Sequence, residues 1–168
     1  MRMGTWFFFA FISIFYAVGI GVLGYGVWAM LKSTEAASWP TTPGVLEACE
    51  LKSDNSDDET AYQVNVRYRY KVNGQTFVND QVAIGYASSD TEATHEALYD
   101  RLKGAEQVDV RYDPSDPQVS VLSFGVHQSI QFTLAFGVTW LLFVMGFTVI
   151  WWTASGTDSV LLNNLSTR

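Results

Sequence analysis

Two long apolar runs frame the chain, and a stretch of alternating positions lies between them. Residues 6–31 cover 26 positions without a single Asp, Glu, Lys, Arg or His, and residues 130–152 cover 23 more. A hydrocarbon core about 30 Å thick is crossed by about 20 residues at about 1.5 Å rise each, so the pattern predicts two transmembrane helices. Only Arg2 precedes the first run as a positive flank, and no clear small-x-small cleavage site follows it. The run is also longer than the core of a signal peptide, so it reads as an uncleaved signal-anchor. Residues 32–129 then form a soluble domain held between the spans, and residues 153–168 a short polar tail.

Within the domain the clearest signal is Tyr62 to Val72. Tyr62, Val64, Val66, Tyr68, Tyr70 and Val72 alternate with Gln63, Asn65, Arg67, Arg69 and Lys71, the period of a half-buried strand. Asn73-Gly74 follows, the pair favoured in a type I′ hairpin turn, so Gln75 to Ile84 is expected to return antiparallel. The returning strand places Thr76, Val78, Val82 and Ile84 on one parity with Phe77 opposite, which suggests a bulge. Val45 to Lys52 reads as an earlier strand. It follows a linker, Ser33 to Pro43, in which Trp39-Pro40 and Thr42-Pro43 block helix. Ser89 and Glu92 match a capping box and Gly104 a helix stop, predicting a helix over 90–103. Val108, Val110 and Tyr112 alternate again, and Val119 to Leu122 forms a last short strand after the Asp113-Pro114 and Asp116-Pro117 turns. The expected class is an α+β membrane protein in which two transmembrane helices flank a small, mostly antiparallel β barrel or sandwich with one short helix. A closed sheet would remove exposed edges.

Small residues recur in the first span at Ser13, Ala17, Gly21 and Gly24, at steps of four, four and three. That face is expected to pack against another helix, within the chain or in a partner. Thr133, Gly137 and Gly146 offer a looser set in the second span. Trp6, Trp28, Trp151 and Trp152 lie near span ends, where indoles favour the headgroup zone.

The segment Trp39-Pro40-Thr41-Thr42-Pro43-Gly44-Val45 resembles the Trp-x-x-x-x-Gly-x-Val opening of the family called domain of unknown function 3592. The Tyr68-Arg69-Tyr70-Lys71-Val72-Asn73-Gly74 hairpin is similar to a second landmark of that family. The run from Gly104 through Val108-Asp109-Val110-Arg111-Tyr112-Asp113-Pro114 and Asp116-Pro117 to Leu122 is similar to a third. The resemblance covers roughly residues 6–152 and departs from the pattern at the acidic insert 54–59. It implies a layout of span, β-rich domain and span. It implies no reaction and no catalytic residues.

Charge narrows the partners. The whole chain is at −7, and residues 32–129 carry sixteen of its seventeen acids but only eight of its ten Lys and Arg. So acidic a domain has no bulk attraction for nucleic acid. With two spans, both termini share one side. The 98-residue loop is too long for its charges to set orientation. The signal-anchor character favours cytoplasmic termini and an extracytoplasmic domain in a bacterial plasma membrane. The single cysteine, Cys49, excludes an intrachain disulfide and pulls weakly toward a reducing compartment.

Candidate chemistry is sparse. Cys49 with His95 or His127 would need a thiolate-stabilising neighbour, and a small half-buried hydrophobe is the preferred reading. Asp54, Asp57, Asp58 and Glu59 lack the Gly and the bidentate Glu of a calcium loop and read as a solvated loop. Asp113 and Asp116 read as turn residues rather than paired catalytic carboxylates. His127 reads as a polar flank of the second span. The sequon Asn164-Leu165-Ser166 falls in the tail expected to be cytoplasmic. Arg67, Arg69 and Lys71 share one strand face and could hold a phosphate or lipid headgroup, or pair across the sheet with Glu47 or Asp80. No cofactor, metal or catalytic residue is expected. The chain is read as a non-enzymatic interaction or assembly module beside the bilayer, its partners being the lipid bilayer and a further membrane protein or a second copy. The alternative is a lipid-headgroup or anion sensor using the basic strand face.

Overall fold

The computed structural model describes residues 3–56, 59–155 and 163–164. Helix α1 runs Met3–Glu35, followed by a 3-10 turn Ala36–Ser38 and strands β1 (Thr41–Ser56), β2 (Glu59–Val72) and β3 (Gln75–Asn79). Then come helix α2 (Glu92–Leu102), strands β4 (Gln107–Tyr112) and β5 (Ser120–Val121), and helix α3 (Gln128–Ser155). Helix thus extends beyond both predicted spans. The expected linker shrinks to one turn, ended where Trp39 before Pro40 goes extended at φ −66°, ψ 145°.

The strands form one antiparallel sheet in the order β3-β2-β1-β4-β5. The expected barrel or sandwich is therefore corrected to a single open sheet. Its outer strands are five and two residues long, too short to meet and close, and α2 with the segment 80–86 covers the inner face in place of a second sheet. Short edges also limit unwanted strand pairing.

The alternation in β2 is realised. Val64, Val66, Tyr68, Tyr70 and Val72 are buried against Val82 and Val110, with Leu98 and Leu102 of α2 above them. Arg67, Arg69 and Lys71 face outward. Asn73 (φ 51°) and Gly74 (φ 82°) form the left-handed turn, which pairs Val72 with Gln75 and hence Tyr70 with Phe77. That register corrects the parity expected for β3: Phe77 stacks inward on Tyr70 at 5.7 Å, and Val78 faces out. β3 also ends five residues earlier than predicted. The bulge lies in β1 instead, between Leu46 and Ala48. The capping box does not form: Thr91 is the α2 N-cap and makes no side-chain cap bond. Gly104 does stop the helix, at φ 83°.

The two long helices pack against each other along a seam with a period of seven. Ile12, Gly19, Gly26 and Ser33 are buried on α1, and Ile130, Gly137 and Val144 on α3. A Cβ on Gly19 would meet the Leu141 side chain at 2.6 Å, one on Gly26 that of Leu134 at 3.0 Å, and one on Gly137 the Leu23 backbone at 3.1 Å. Glycine is what permits this approach. Trp140 Nε1 donates to the Phe15 carbonyl at 2.9 Å across the seam. The intrachain contact therefore does not use the face formed by Ser13, Ala17, Gly21 and Gly24. All four are exposed, and a Cβ on Gly21, Gly24 or Gly146 would meet nothing within 4 Å. A seven-residue seam holds one face toward the partner helix over about six turns of α1 and about four of α3, and the small-residue face lies off that seam.

The helices are joined firmly to the sheet. Ser33 Oγ donates to Gly125 O at 2.8 Å, and Gly125 N–H returns a bond to Ser33 O at 3.0 Å. His127 Nε2 donates to Ile84 O at 2.9 Å. Arg111 donates to the carbonyls of Ala37 and Trp39 at 3.0 and 3.1 Å, with its guanidinium 4.4 Å above the Phe124 ring centre.

Candidate functional site: an interrupted sheet edge beside a buried histidine

β3 leaves β2 at Asn79. The Asn79 side-chain carbonyl accepts the N–H groups of Asp80 (2.8 Å) and Gln81 (3.3 Å) and turns the chain away. The edge of β2 is met again at Tyr62, which exchanges two backbone hydrogen bonds with Ser89 at 2.8 and 3.1 Å. Between these points lie Val64 and Val66. Even-numbered residues of β2 aim their N–H and C=O at this edge, as the Val72–Gln75 and Tyr62–Ser89 pairings require. The odd-numbered ones aim at β1, where Thr42 Oγ1 meets Lys71 O. Val64 N–H is taken by the Tyr86 hydroxyl at 3.0 Å. Val66 N–H and C=O have no hydrogen-bond partner among the described residues. A cavity of about 580 Å³ opens here, bordered by Val64, Val66, Asp80, Gln81 and Tyr86. A second, of about 360 Å³, shares Val66, Asn79 and Asp80 and continues toward Arg67.

Behind the edge sits His95, buried on α2 at 2% exposure. Its Nδ1 is 2.7 Å from the Tyr86 hydroxyl and its Nε2 is 2.8 Å from Ser89 Oγ. Both hydroxyls already accept a backbone N–H, Tyr86 from Val64 at 3.0 Å and Ser89 from Thr91 at 3.4 Å; the shorter bond at Tyr86 assigns its own hydrogen to Nδ1. The imidazole proton then belongs on Nε2 and donates to Ser89. Burial lowers the His95 pKa and so keeps the ring neutral. In this arrangement His95 donates to the serine, whereas a base activating Ser89 would have to accept its proton. The chain Val64–Tyr86–His95–Ser89 ties β2, the 80–86 segment and α2 together. Sequence reasoning missed this set, because nothing in the spacing of Tyr86, Ser89 and His95 marks them as neighbours.

The other singled-out residues are dispersed. Cys49 packs half-buried against the core, and burial pushes its thiol pKa up, away from a reactive thiolate. It makes no hydrogen bond to His95 or His127. The acidic loop includes Asp57 and Asp58, which lie outside the described residues, as does Arg2. Of the sequon, Asn164 alone is described, and it is exposed. Asp113 Oδ1 accepts the Ser115 N–H (2.9 Å) and hydroxyl (2.5 Å), and Oδ2 lies 3.5 Å from Lys32 Nζ. The Ser115 bonds foremost, with Lys32 behind them, hold the Asp113 carboxyl below the usual range. Asp116 accepts the Gln118 N–H at 3.2 Å, so both aspartates build turns. On the outer sheet face, the bulge projects Glu47 between two arginines: Arg67 Nε is 3.4 Å and Arg69 Nε 3.2 Å from its carboxylate oxygens. Lys71 is exposed and forms no ion pair among the described residues.

The fold and this edge define an α+β protein in which two long apolar helices carry one open antiparallel sheet. The chain belongs to the family described as domain of unknown function (DUF3592), whose family model matches residues 42–127, just over half of its length. No curated protein and no solved structure matches it.

Proposed function

We propose that the protein crosses the membrane twice and presents its sheet beside the bilayer as a non-enzymatic interaction or assembly module. The carrying observation is the surface of α1 and α3. Large apolar side chains point outward all along both, including Trp6 (66% exposed), Phe7 (72%), Phe132 (70%) and Phe143 (70%). The core helix of a water-soluble protein covers such residues with its own chain. Here the helices cover only one seam on each other, and lipid is the solvent that suits the remainder. The hydrogen-bonded junction at Ser33, Gly125 and His127 holds the sheet in a fixed pose at the helix ends, which suits a surface that docks. The commitment of both His95 nitrogens and the raised Cys49 pKa favour this reading over catalysis. Cytoplasmic termini and an extracytoplasmic sheet in a bacterial plasma membrane complete it.

Purification in a mild detergent tests the proposal. Recovery of the chain with a bound partner, or as a defined oligomer, is expected. A bare monomer after in-membrane crosslinking, or release of the intact chain by a carbonate wash, overturns it. Arg67, Arg69 and Lys71 remain the basis of the lipid-headgroup alternative, although the Glu47 clamp occupies two of the three charges.

A further inference from the structure

We infer that the interrupted edge of β2 takes up a short extended segment of a partner protein, which pairs backbone to backbone with Val66 and sets a basic side chain against Asp80. The inference rests on the interaction-module reading and names the chemistry of the docked partner.

Three observations carry it. The first is the hydrogen-bonding pattern. One residue, Val66, presents an N–H and a C=O to the same side with no partner among the described residues. In an antiparallel ladder this pair is answered by one residue of the opposing strand, which returns an acceptor and a donor at matching separation. An inorganic anion offers acceptors alone and would leave the Val66 carbonyl unanswered. Beside it Tyr86 caps Val64 N–H while Val64 C=O has no partner among the described residues, and Asn79 and Ser89 hold Tyr68 and Tyr62.

The second is size. Tyr62 to Tyr68 spans six residue steps, roughly 20 Å of strand, with both ends already paired. Space remains for roughly four extended residues, and the cavity of about 580 Å³ beside Val64 and Val66 is of that scale. The adjoining cavity toward Arg67 and Val78 gives the segment a way in past the end of β3. The incoming segment thus makes a short bridge, not a long added strand.

The third is charge. Asp80 stands exposed where the two cavities meet, and its carboxylate forms no ion pair among the described residues. The surrounding domain carries twice as many acids as bases. A segment bearing Lys or Arg is favoured by both the local and the long-range field.

The experiment uses the full chain in lipid nanodiscs and a capped, fluorescein-labelled hexapeptide of alternating Lys and Val. Anisotropy reads binding, and amide hydrogen exchange reads Val66. Saturable binding that slows Val66 exchange is expected. N-methylation of the central peptide amides should weaken binding by about tenfold or more, as loss of backbone hydrogen bonds predicts. Asp80→Asn, an exposed and fold-neutral change, should weaken it by roughly two- to fivefold. No binding, unchanged Val66 exchange, or equal affinity for the N-methylated peptide overturns the inference. A partner that still co-purifies with Asp80→Arg and resists competition by the hexapeptide defeats strand addition and leaves the module reading standing. A chain recovered as a bare monomer defeats the module reading itself.

Discussion

Removing one oxygen atom tests the hydrogen-bond chain behind the edge. In Tyr86→Phe the ring remains, and its contacts with the core are kept. The lost hydroxyl held the Val64 N–H at 3.0 Å and His95 Nδ1 at 2.7 Å. Val64 and His95 are each 2% exposed, so each group loses its partner in a largely dry place. An unsatisfied buried donor or acceptor costs about 1–3 kcal/mol. The adjoining cavity lets water reach part of the edge, so the sum belongs near the lower end, at about 2 kcal/mol. For a domain of this size that corresponds to a fall of about 8–16 °C in Tm. Thermal unfolding followed by tryptophan fluorescence in detergent micelles measures it. Tyr112→Phe is the control, because the Tyr112 hydroxyl makes no hydrogen bond among the described residues. Amide exchange at Val64 should speed up in Tyr86→Phe alone. If Tyr86→Phe melts with the control and the Val64 amide stays protected, the hydroxyl does not hold this edge and the tautomer assigned to His95 loses its basis.

Three further outcomes follow from the same contacts. Burial lowers the folded-state pKa of His95 below the unfolded value of about 6.5, so the unfolded chain binds the extra proton first. Stability is therefore full above about pH 6.5 and falls as pH drops toward the folded pKa. Tm measured from pH 8 to 5 should show this loss, and His95→Phe should flatten it. In a Cys49→Ala background, Leu23→Cys with Gly137→Cys should crosslink within one chain on mild oxidation, because a Cβ at Gly137 would lie 3.1 Å from that of Leu23 and parting of the helices by about half an ångström reaches the about 3.5–4.5 Å between disulfide Cβ atoms. Gly24→Cys with Gly146→Cys should give no intrachain product. Replacing Arg67, Arg69 and Lys71 together with Gln should leave binding to anionic liposomes nearly unchanged, since Glu47 already engages both arginines; a loss of tenfold or more would restore the headgroup-sensor alternative.

Period and turn chemistry carried most of the layout. A charge-free run longer than a bilayer is thick reads as a long apolar helix wherever it folds. Strict alternation from Tyr62 to Val72 has one stable solution beside a core, with the valines and tyrosines inward. Asn73-Gly74 dictates a type I′ turn because only such residues tolerate positive φ there. Even the inward aim of Phe77 was legible, had the hairpin register been counted back from that turn instead of from the apolar parity of Val78, Val82 and Ile84. The seven-residue spacing of Ile12, Gly19, Gly26 and Ser33, repeated in Ile130, Gly137 and Val144, was also present, but the steps of four at Ser13, Ala17 and Gly21 obscured it.

Other features depend on groups distant in sequence meeting in space. Whether the sheet closes rests on strand lengths, and those are set by where hydrogen-bond partners run out. Asn79 ends β3 with its own side chain, and β5 stops after two residues. The bulge that seats Glu47 between two arginines arises from pairing with β2, not from any property of Glu47. Ser89 carried a helix-capping signal, yet in the folded chain its hydroxyl oxygen accepts from His95 Nε2, because a buried imidazole nitrogen without a partner costs more than an uncapped helix end. The Val66 edge is a matter of tertiary structure throughout: nothing in a valine shows that the strand beside it has turned away.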